Sequence, residues 1–134
     1  MADLSNITFA CESPVPLSGF WAAALGYKPV EPAPEVLAEV DKAIERGELD
    51  PTGWAMLVHP DGTGPRLLFQ RRPRSSPEEI PIHLDLKSED RHTEVARLVS
   101  LGATKVEERS QTIGPYQEFW TVMKDPEGNG FCVS

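Results

Sequence analysis

The sequence predicts an α+β fold of two βαβββ modules related by pseudo-twofold symmetry, with mixed sheets curving round a central cleft. Three observations predict this fold. The chain contains an internal duplication, and the residue pattern of each copy predicts the order strand, helix, strand, strand, strand. In addition, 134 residues suffice for one hydrophobic core but hold only two copies of the unit. Function is therefore expected in the cleft, where equivalent strands of the two copies face each other.

The duplication is visible in two sets of matching residues. The first set occurs twice in the same order and spacing: Trp54, Leu57, Pro60, Asp61, Gly62 and Gly64 match Trp120, Met123, Pro126, Glu127, Gly128 and Gly130. The second set also occurs twice: Leu25, Gly26 and Val30 match Leu101, Gly102 and Val106. The two offsets differ, so the first copy carries an insertion, which we assign to 31–53. We expect a single domain over 1–134, with module one at about 5–71, a linker at 72–81 and module two at about 82–134.

The first copy begins with a strand, because apolar Ile7, Phe9 and Cys11 alternate with more polar neighbours. Ser13 as the N-cap and a proline in the first turn then predict a helix that ends at Gly26. A short strand is expected at 27–30. Further strands are expected at 54–58 and 66–71.

Within the insertion, an apolar stripe predicts a helix at about 35–46. The stripe consists of Val36, Leu37, Val40 and Ile44. Two interpretations of this helix remain open at the sequence level: it covers an edge of the sheet, or it closes the cleft.

The second copy repeats the plan with a strand at 82–86, a helix, and strands at 105–109, 117–123 and 131–133. Ser88 is predicted to cap the helix and Gly102 to end it. The predicted buried stripe of this helix is His92, Val95, Ala96 and Val99.

Composition excludes two classes of partner. The net charge of −8 repels nucleic-acid phosphates and anionic lipid surfaces, and no apolar segment is long enough to cross a bilayer. We therefore expect no nucleic-acid partner, no membrane partner and a cytoplasmic location. Cys11 and Cys132 are expected as buried free thiols, with a disulfide left open because sequence does not give their separation.

Several motifs give the chain a resemblance to a known superfamily. They are the helix end at 20–27 (FWAAALGY), the turn at 125–129 (DPEGN) and the segment at 83–86 (HLDL). With these motifs the chain resembles the vicinal-oxygen-chelate superfamily, which has the glyoxalase and bleomycin-resistance fold. It is most similar to the glyoxalase-like branch common in actinobacteria, in which 60–62 (PDG), 68–70 (LFQ) and 131–133 (FCV) also recur. The resemblance implies paired βαβββ modules and a homodimer.

The same resemblance implies where a metal site would lie. Enzymes of the superfamily hold a divalent metal with four side chains from the first and last strands of each copy. Carried over by position, these are Asn6 or, in another register, Thr8, then Gln70, His83 and Cys132. The set lacks the carboxylates that such enzymes use. We therefore expect no cofactor and no metal.

A metal bound despite this expectation would involve His83 and Gln70. Asp85 shares the strand face of His83 and is a further carboxylate candidate. A nucleophilic Cys132–His83 pair is a third interpretation of the same residues. Their spacing in the sequence neither supports nor forbids a contact, and only the fold analogy places them together.

Aromatic and polar residues predict what the cleft binds. Trp54, Phe119 and Trp120 lie on strands expected to curve around it, although core packing is the alternative for both tryptophans. The predicted ligand-binding set is Thr8, Trp54, Gln70, His83, Asp85, Phe119, Trp120 and Cys132. The function predicted from it is metal-independent binding of a small, partly aromatic or hydrophobic molecule. The alternative is a divalent-metal-dependent lyase, isomerase or dioxygenase with a degenerate metal site.

Overall fold

The computed structural model describes residues 1–72 and 82–134, which form a mixed sheet with helices packed on it. In chain order the elements are β1 (Asp3–Cys11), α1 (Pro14–Leu25), β2 (Lys28–Pro29), α2 (Pro34–Glu45), β3 (Trp54–Val58), β4 (Arg66–Arg71), β5 (Ile82–Lys87), α3 (Arg91–Ser100), β6 (Thr104–Ile113), β7 (Tyr116–Lys124) and β8 (Gly130–Val133). All of the predicted linker except Arg72 lies outside the described residues.

The strand order has the symmetry that the duplication predicts. The sheet runs β2-β3-β4-β1-β5-β8-β7-β6. The first strand of each copy pairs in parallel with the last strand of the same copy, β1 with β4 and β5 with β8. The two copies join through an antiparallel pairing of β1 with β5. This arrangement confirms the predicted α+β class with an open mixed sheet.

Two hydrophobic clusters lie on one face of this sheet, one in each copy. The first cluster centres on Leu57, Leu67 and Phe69, which pack against partly buried residues of β1 and α1. The second centres on Val95, Met123 and Val133. We call this side the helix face and the opposite side the open face. Alternation along each strand places every second residue on the open face.

The helix starts differ in detail from the sequence prediction. Ser13 does occupy the N-cap position of α1, but its side chain makes no capping hydrogen bond. In α3 the N-cap is Asp90 rather than the predicted Ser88, because the Asp90 carboxylate accepts hydrogen bonds from both the backbone N–H and the hydroxyl of Thr93. The Ser88 hydroxyl donates instead to the backbone carbonyl of Asp90.

The buried stripe of α3 also differs from the prediction. Val95 is buried as expected, whereas His92, Ala96 and Val99 are exposed. Glu94 is buried instead, because its carboxylate pairs with Arg97 and accepts a hydrogen bond from the backbone of the N-terminal segment.

Helix α2 crosses from one edge of the sheet towards the other. In the sequence it lies between β2 and β3, yet it packs on β6 at the opposite edge of the sheet. Eight flat strands would separate the edges by roughly 30 Å, whereas α2 is only about 18 Å long. The loops flanking α2 or a curvature of the sheet must supply the remaining distance. Because β6 is itself an edge strand, this contact fits either of the two roles expected for α2.

No helix in the described part of the chain combines the length and apolar character that a bilayer crossing requires.

Candidate functional site

Four polar side chains meet at the centre of the open face, where β1 and β5 pair. Thr8 lies opposite His83 in this ladder, and Asn6 lies opposite Asp85. All four side chains lie on the open face, because Ile7 and Phe9, which alternate with Asn6 and Thr8 along β1, pack into the helix-face core. We call Asn6, Thr8, His83 and Asp85, together with Cys132 beside Asp85 on β8, the cleft floor.

Hydrogen bonds connect the cleft floor through the Asp85 carboxylate. One oxygen, Oδ1, lies 3.2 Å from Nε2 of His83. The other, Oδ2, accepts a hydrogen bond from the hydroxyl of Thr8, which is 1% exposed. Ser5 donates to the backbone carbonyl of Asp85 at 3.0 Å. Asp85 is thus held by two side chains of β1 and one of its own strand.

These contacts set the charge of His83. The hydrogen bond to Asp85, and after it the one to Cys132, raise the pKa of His83 to about 9 against the opposing effect of burial. The imidazole is therefore protonated at neutral pH and forms an ion pair with Asp85. Its side chain is 24% exposed and that of Asp85 is 19% exposed, so both remain reachable from the cleft.

The raised pKa predicts a pH-dependent stability. Because His83 binds its proton more tightly in the folded than in the unfolded state, its contribution is complete below about pH 6.5 and is lost as the pH rises through about 9. Solvent screens the partly exposed pair, so we expect a loss on the order of 1 kcal/mol in the free energy of unfolding. Urea denaturation across this range should show the loss. His83→Gln should abolish it, and His92→Gln, at an exposed histidine, should leave it intact. A loss that survives in His83→Gln would contradict this assignment.

Three of the floor residues also form a set of metal-ligand type. The ligand atoms of His83, Asp85 and Cys132 all lie within 4.8 Å of one another. Imidazole, carboxylate and thiolate are the ligands that Zn²⁺ prefers, and three of them with one open position match a catalytic zinc site in number. The donor set therefore fits a divalent metal better than the His83 and Gln70 pair predicted from the sequence.

The antiparallel pairing of β1 with β5 relates the two copies, because Asn6 lies opposite Asp85 and Thr8 lies opposite His83. Ser13 and Asp90 both occupy N-cap positions, and the same spacing relates Asn6 to His83. Of the two registers that the sequence left open for the first strand, this correspondence selects Asn6. By the same spacing, Thr8 of the first copy is equivalent to Asp85 of the second copy.

The register of the last strands then identifies the remaining equivalent positions. Thr8 pairs with Leu68 as Asp85 pairs with Cys132. By this correspondence Leu68, rather than Gln70, occupies the position equivalent to Cys132. Gln70 lies two residues farther along β4, roughly 7 Å away. An apolar side chain thus stands where a symmetric four-ligand cage would need a donor.

The aromatic residues predicted to line the cleft divide between the two faces. Trp54 pairs with Gln70 on the open face and is 38% exposed. Trp120, which is half-buried, also lies on the open face, because Thr121 beside it is buried on the helix face. Phe119, two residues before Thr121, shares the helix face and is 52% exposed. The structure thus brings the two tryptophans, but not Phe119, to the open face.

Sequence reasoning missed four further residues on the open face. Met56, Leu68 and Val122 lie there by strand alternation, and Arg66 donates a hydrogen bond from Nε to the side-chain oxygen of Asn6 at 2.9 Å. The signal for them was present, since apolar residues of the opposite parity flank Met56, Leu68 and Arg66, and Met123 follows Val122. These open-face residues can be identified from the sequence only when the register of every strand is known.

Comparisons with known proteins agree with this geometry. A family profile described as "Glyoxalase-like domain" matches residues 6–134. The chain belongs to this glyoxalase-like family. Its fold is that of the vicinal-oxygen-chelate superfamily, as the resemblance implied. No curated protein matches the chain.

Solved structures with the same fold are distant in sequence. A methylmalonyl-CoA epimerase in complex with methylmalonyl-CoA and NH4+ is 15% identical, with a TM-score of 0.59 over 100% of this chain and 95% of that one. A glyoxalase/bleomycin resistance protein/dioxygenase superfamily member from Vibrio splendidus 12B01 is 12% identical, with a TM-score of 0.58 over 99% and 97% of the two chains. A methylmalonyl-CoA epimerase from Streptomyces coelicolor, in complex with 2-nitronate-propionyl-CoA, is 14% identical, with a TM-score of 0.56 over 98% and 96%. At these identities the likeness establishes the fold alone.

Proposed function

We propose that this glyoxalase-like protein binds a small, partly aromatic molecule on its open face and needs no metal to do so. One observation carries the proposal: the polar groups of the cleft floor satisfy one another. Asp85 accepts from Thr8 and pairs with His83, which also bonds to Cys132. In the described part of the chain no buried side-chain polar atom lacks a hydrogen-bond partner. The floor is therefore stable as a hydrogen-bonded surface in its own right.

The surroundings of the floor suit a flat, partly apolar ligand. Trp54 and Trp120 offer large aromatic surfaces, and Met56, Leu68 and Val122 supply apolar contact. Protonated His83 and the half-buried Gln70 amide supply polar contacts that orient such a ligand. Thr8, Asp85 and Cys132 complete the proposed contact set.

A divalent-metal-dependent lyase, isomerase or dioxygenase is the second candidate. The proximity of the His83, Asp85 and Cys132 donor atoms favours it. The metal would polarise a substrate that binds through two oxygens and would stabilise the developing negative charge. These three side chains would hold it, and His83 would have to give up its proton first.

Metal content and ligand binding together separate the two candidates. Protein purified without exposure to chelator should carry no stoichiometric divalent metal, and a screen of aromatic metabolites should find compounds that raise its melting temperature. Trp120→Ala should reduce that rise, whereas Phe119→Ala, which changes the opposite face, should not. A stoichiometric ion that His83→Ala removes, and that the control His59→Ala keeps, would overturn the metal-independent proposal.

The predicted homodimer, cytoplasmic location and module boundaries stay predictions. A homodimer fits the several large apolar side chains that the isolated chain exposes, such as Phe20, Leu25 and Leu101. Light scattering of the purified protein measures this oligomeric state directly.

A further inference from the structure

A separate cavity of about 210 Å³ lies between α2 and the hairpin formed by β6 and β7. Its lining consists of Val36, Val40, Gln111, Ile113, Tyr116 and Glu118. The four hairpin residues share one face, because Gln111 pairs with Glu118 and Ile113 pairs with Tyr116. Tyr116 has the same parity on β7 as Trp120, so this is the open face. We call the space the α2 cavity.

The α2 cavity is distinct from the cleft floor. Tyr116 lies six residues along β7 from Val122, which pairs with Cys132 of the floor. At the rise of an extended strand this separation is roughly 20 Å, and Glu118, the lining residue of β7 nearest the floor, lies roughly 13 Å from Val122. The cavity is therefore adjacent to Trp120 but clear of the hydrogen-bonded floor, and the inference that follows does not depend on the proposed function of the floor.

Close packing at the turn shows that α2 is seated on the hairpin. Gly114, in the turn between β6 and β7, has a φ of 59°, and a Cβ atom there would collide with the Glu39 carboxylate of α2. The half-buried Glu39 thus fits against a backbone position that has no side chain. The cavity walls are held by this contact as well as by the apolar stripe of α2.

The lining defines the chemistry of an occupant. Three aliphatic side chains and one tyrosine ring supply apolar surface, and the volume is sufficient for one aromatic ring, since a space of about 150 Å³ holds a benzene molecule. Within residues 1–72 and 82–134, the exposed Glu118 is the one charged residue of the lining, and it has no ion-pair partner. None of the described lining residues is a lysine or an arginine. We propose that the α2 cavity binds a small ring compound that carries a protonated amine, with the ring among the aliphatic side chains and the ammonium group facing Glu118.

Three matched probes test this proposal: benzylamine, benzyl alcohol and benzoate, which share a ring and differ in charge. Titration into ¹⁵N-labelled protein should shift the amide signals of 36–40 and 111–118. Benzylamine should bind most tightly and benzoate most weakly. Glu118→Gln should weaken benzylamine binding by about three- to tenfold, in line with one partly exposed charge pair. The control Glu45→Gln, on the exposed side of α2, should leave it unchanged.

Filling the cavity gives an independent test. Val40→Phe should remove benzylamine binding while far-ultraviolet circular dichroism retains the helical signal. Leu37→Phe makes a matched change at an exposed position of the same helix and should bind benzylamine normally. The proposal is overturned if benzoate binds as well as benzylamine, if no probe binds, or if the shifts map to Thr8, His83 and Asp85. The last outcome would assign the amine to the cleft floor and would leave the proposed function of the floor standing.

Discussion

Replacing Phe69 with alanine is expected to lower the free energy of unfolding by about 3–5 kcal/mol, the largest effect of any single change considered. Phe69 is 0% exposed and lies at the centre of the first hydrophobic cluster. Its ring stacks on that of Phe9, with 5.0 Å between the centroids and 12° between the planes. Truncation leaves a cavity next to β1, the strand that carries Thr8. Urea denaturation measures the loss directly.

Phe119→Ala is the matched control for this change. The same atoms are removed, but the side chain is 52% exposed, so we expect a loss below about 1 kcal/mol. Equal losses for the two variants would contradict the placement of Phe69 in the core and of Phe119 at the surface. A large loss in the Phe119 variant alone would indicate that this ring is buried in an assembly of the protein.

Replacing Asp85 with alanine is expected to have the second largest effect. It removes the shared acceptor of the cleft floor, leaving the buried Thr8 hydroxyl without its partner and His83 without its counter-ion. An unsatisfied buried hydroxyl and a lost charged hydrogen bond predict a decrease of about 2–3 kcal/mol in the free energy of unfolding. The pKa of His83 should fall from about 9 towards its ordinary value of 6.5, as measured by proton NMR of the imidazole.

Asp61→Ala provides the corresponding control at the surface. Asp61 lies 3.9 Å from the His59 ring, but its side chain is 79% exposed. Its removal should change the free energy of unfolding by less than about 0.5 kcal/mol. If the pKa of His83 stayed near 9 in the Asp85 variant, the ion pair at the centre of the floor would be refuted.

The fold was predictable because the duplication and the turn residues are local signals. The matches of Trp54 with Trp120 and of Gly26 with Gly102 fixed both the number of modules and their order. The predicted bounds of β3 and β4 agree with the structure to the residue. Strand β6 is longer than predicted and reaches Ile113, because polar Ser110 to Thr112 gain strand structure only by pairing with β7.

The arrangement of the candidate site was less predictable because it depends on register and on pairing between distant strands. A shift of two residues along β4 exchanges Gln70 for Leu68, and nothing in the local sequence distinguishes the two. The burial of Glu94 was hidden for a related reason. A carboxylate is predicted to be exposed as long as its partners, here Arg97 and the N-terminal backbone, are not known. By contrast, the proximity of His83 and Asp85 followed from their spacing on a single strand.

Ligand binding in the presence of excess chelator tests the central claim most directly. A compound identified by the stability screen should be titrated by calorimetry into the protein with and without a strong divalent-metal chelator, and into Trp120→Ala as a control for binding on the open face. We expect equal affinities in the two buffers and weaker binding to the variant. Binding that disappears with chelator and returns when a divalent metal is added back would contradict the central claim.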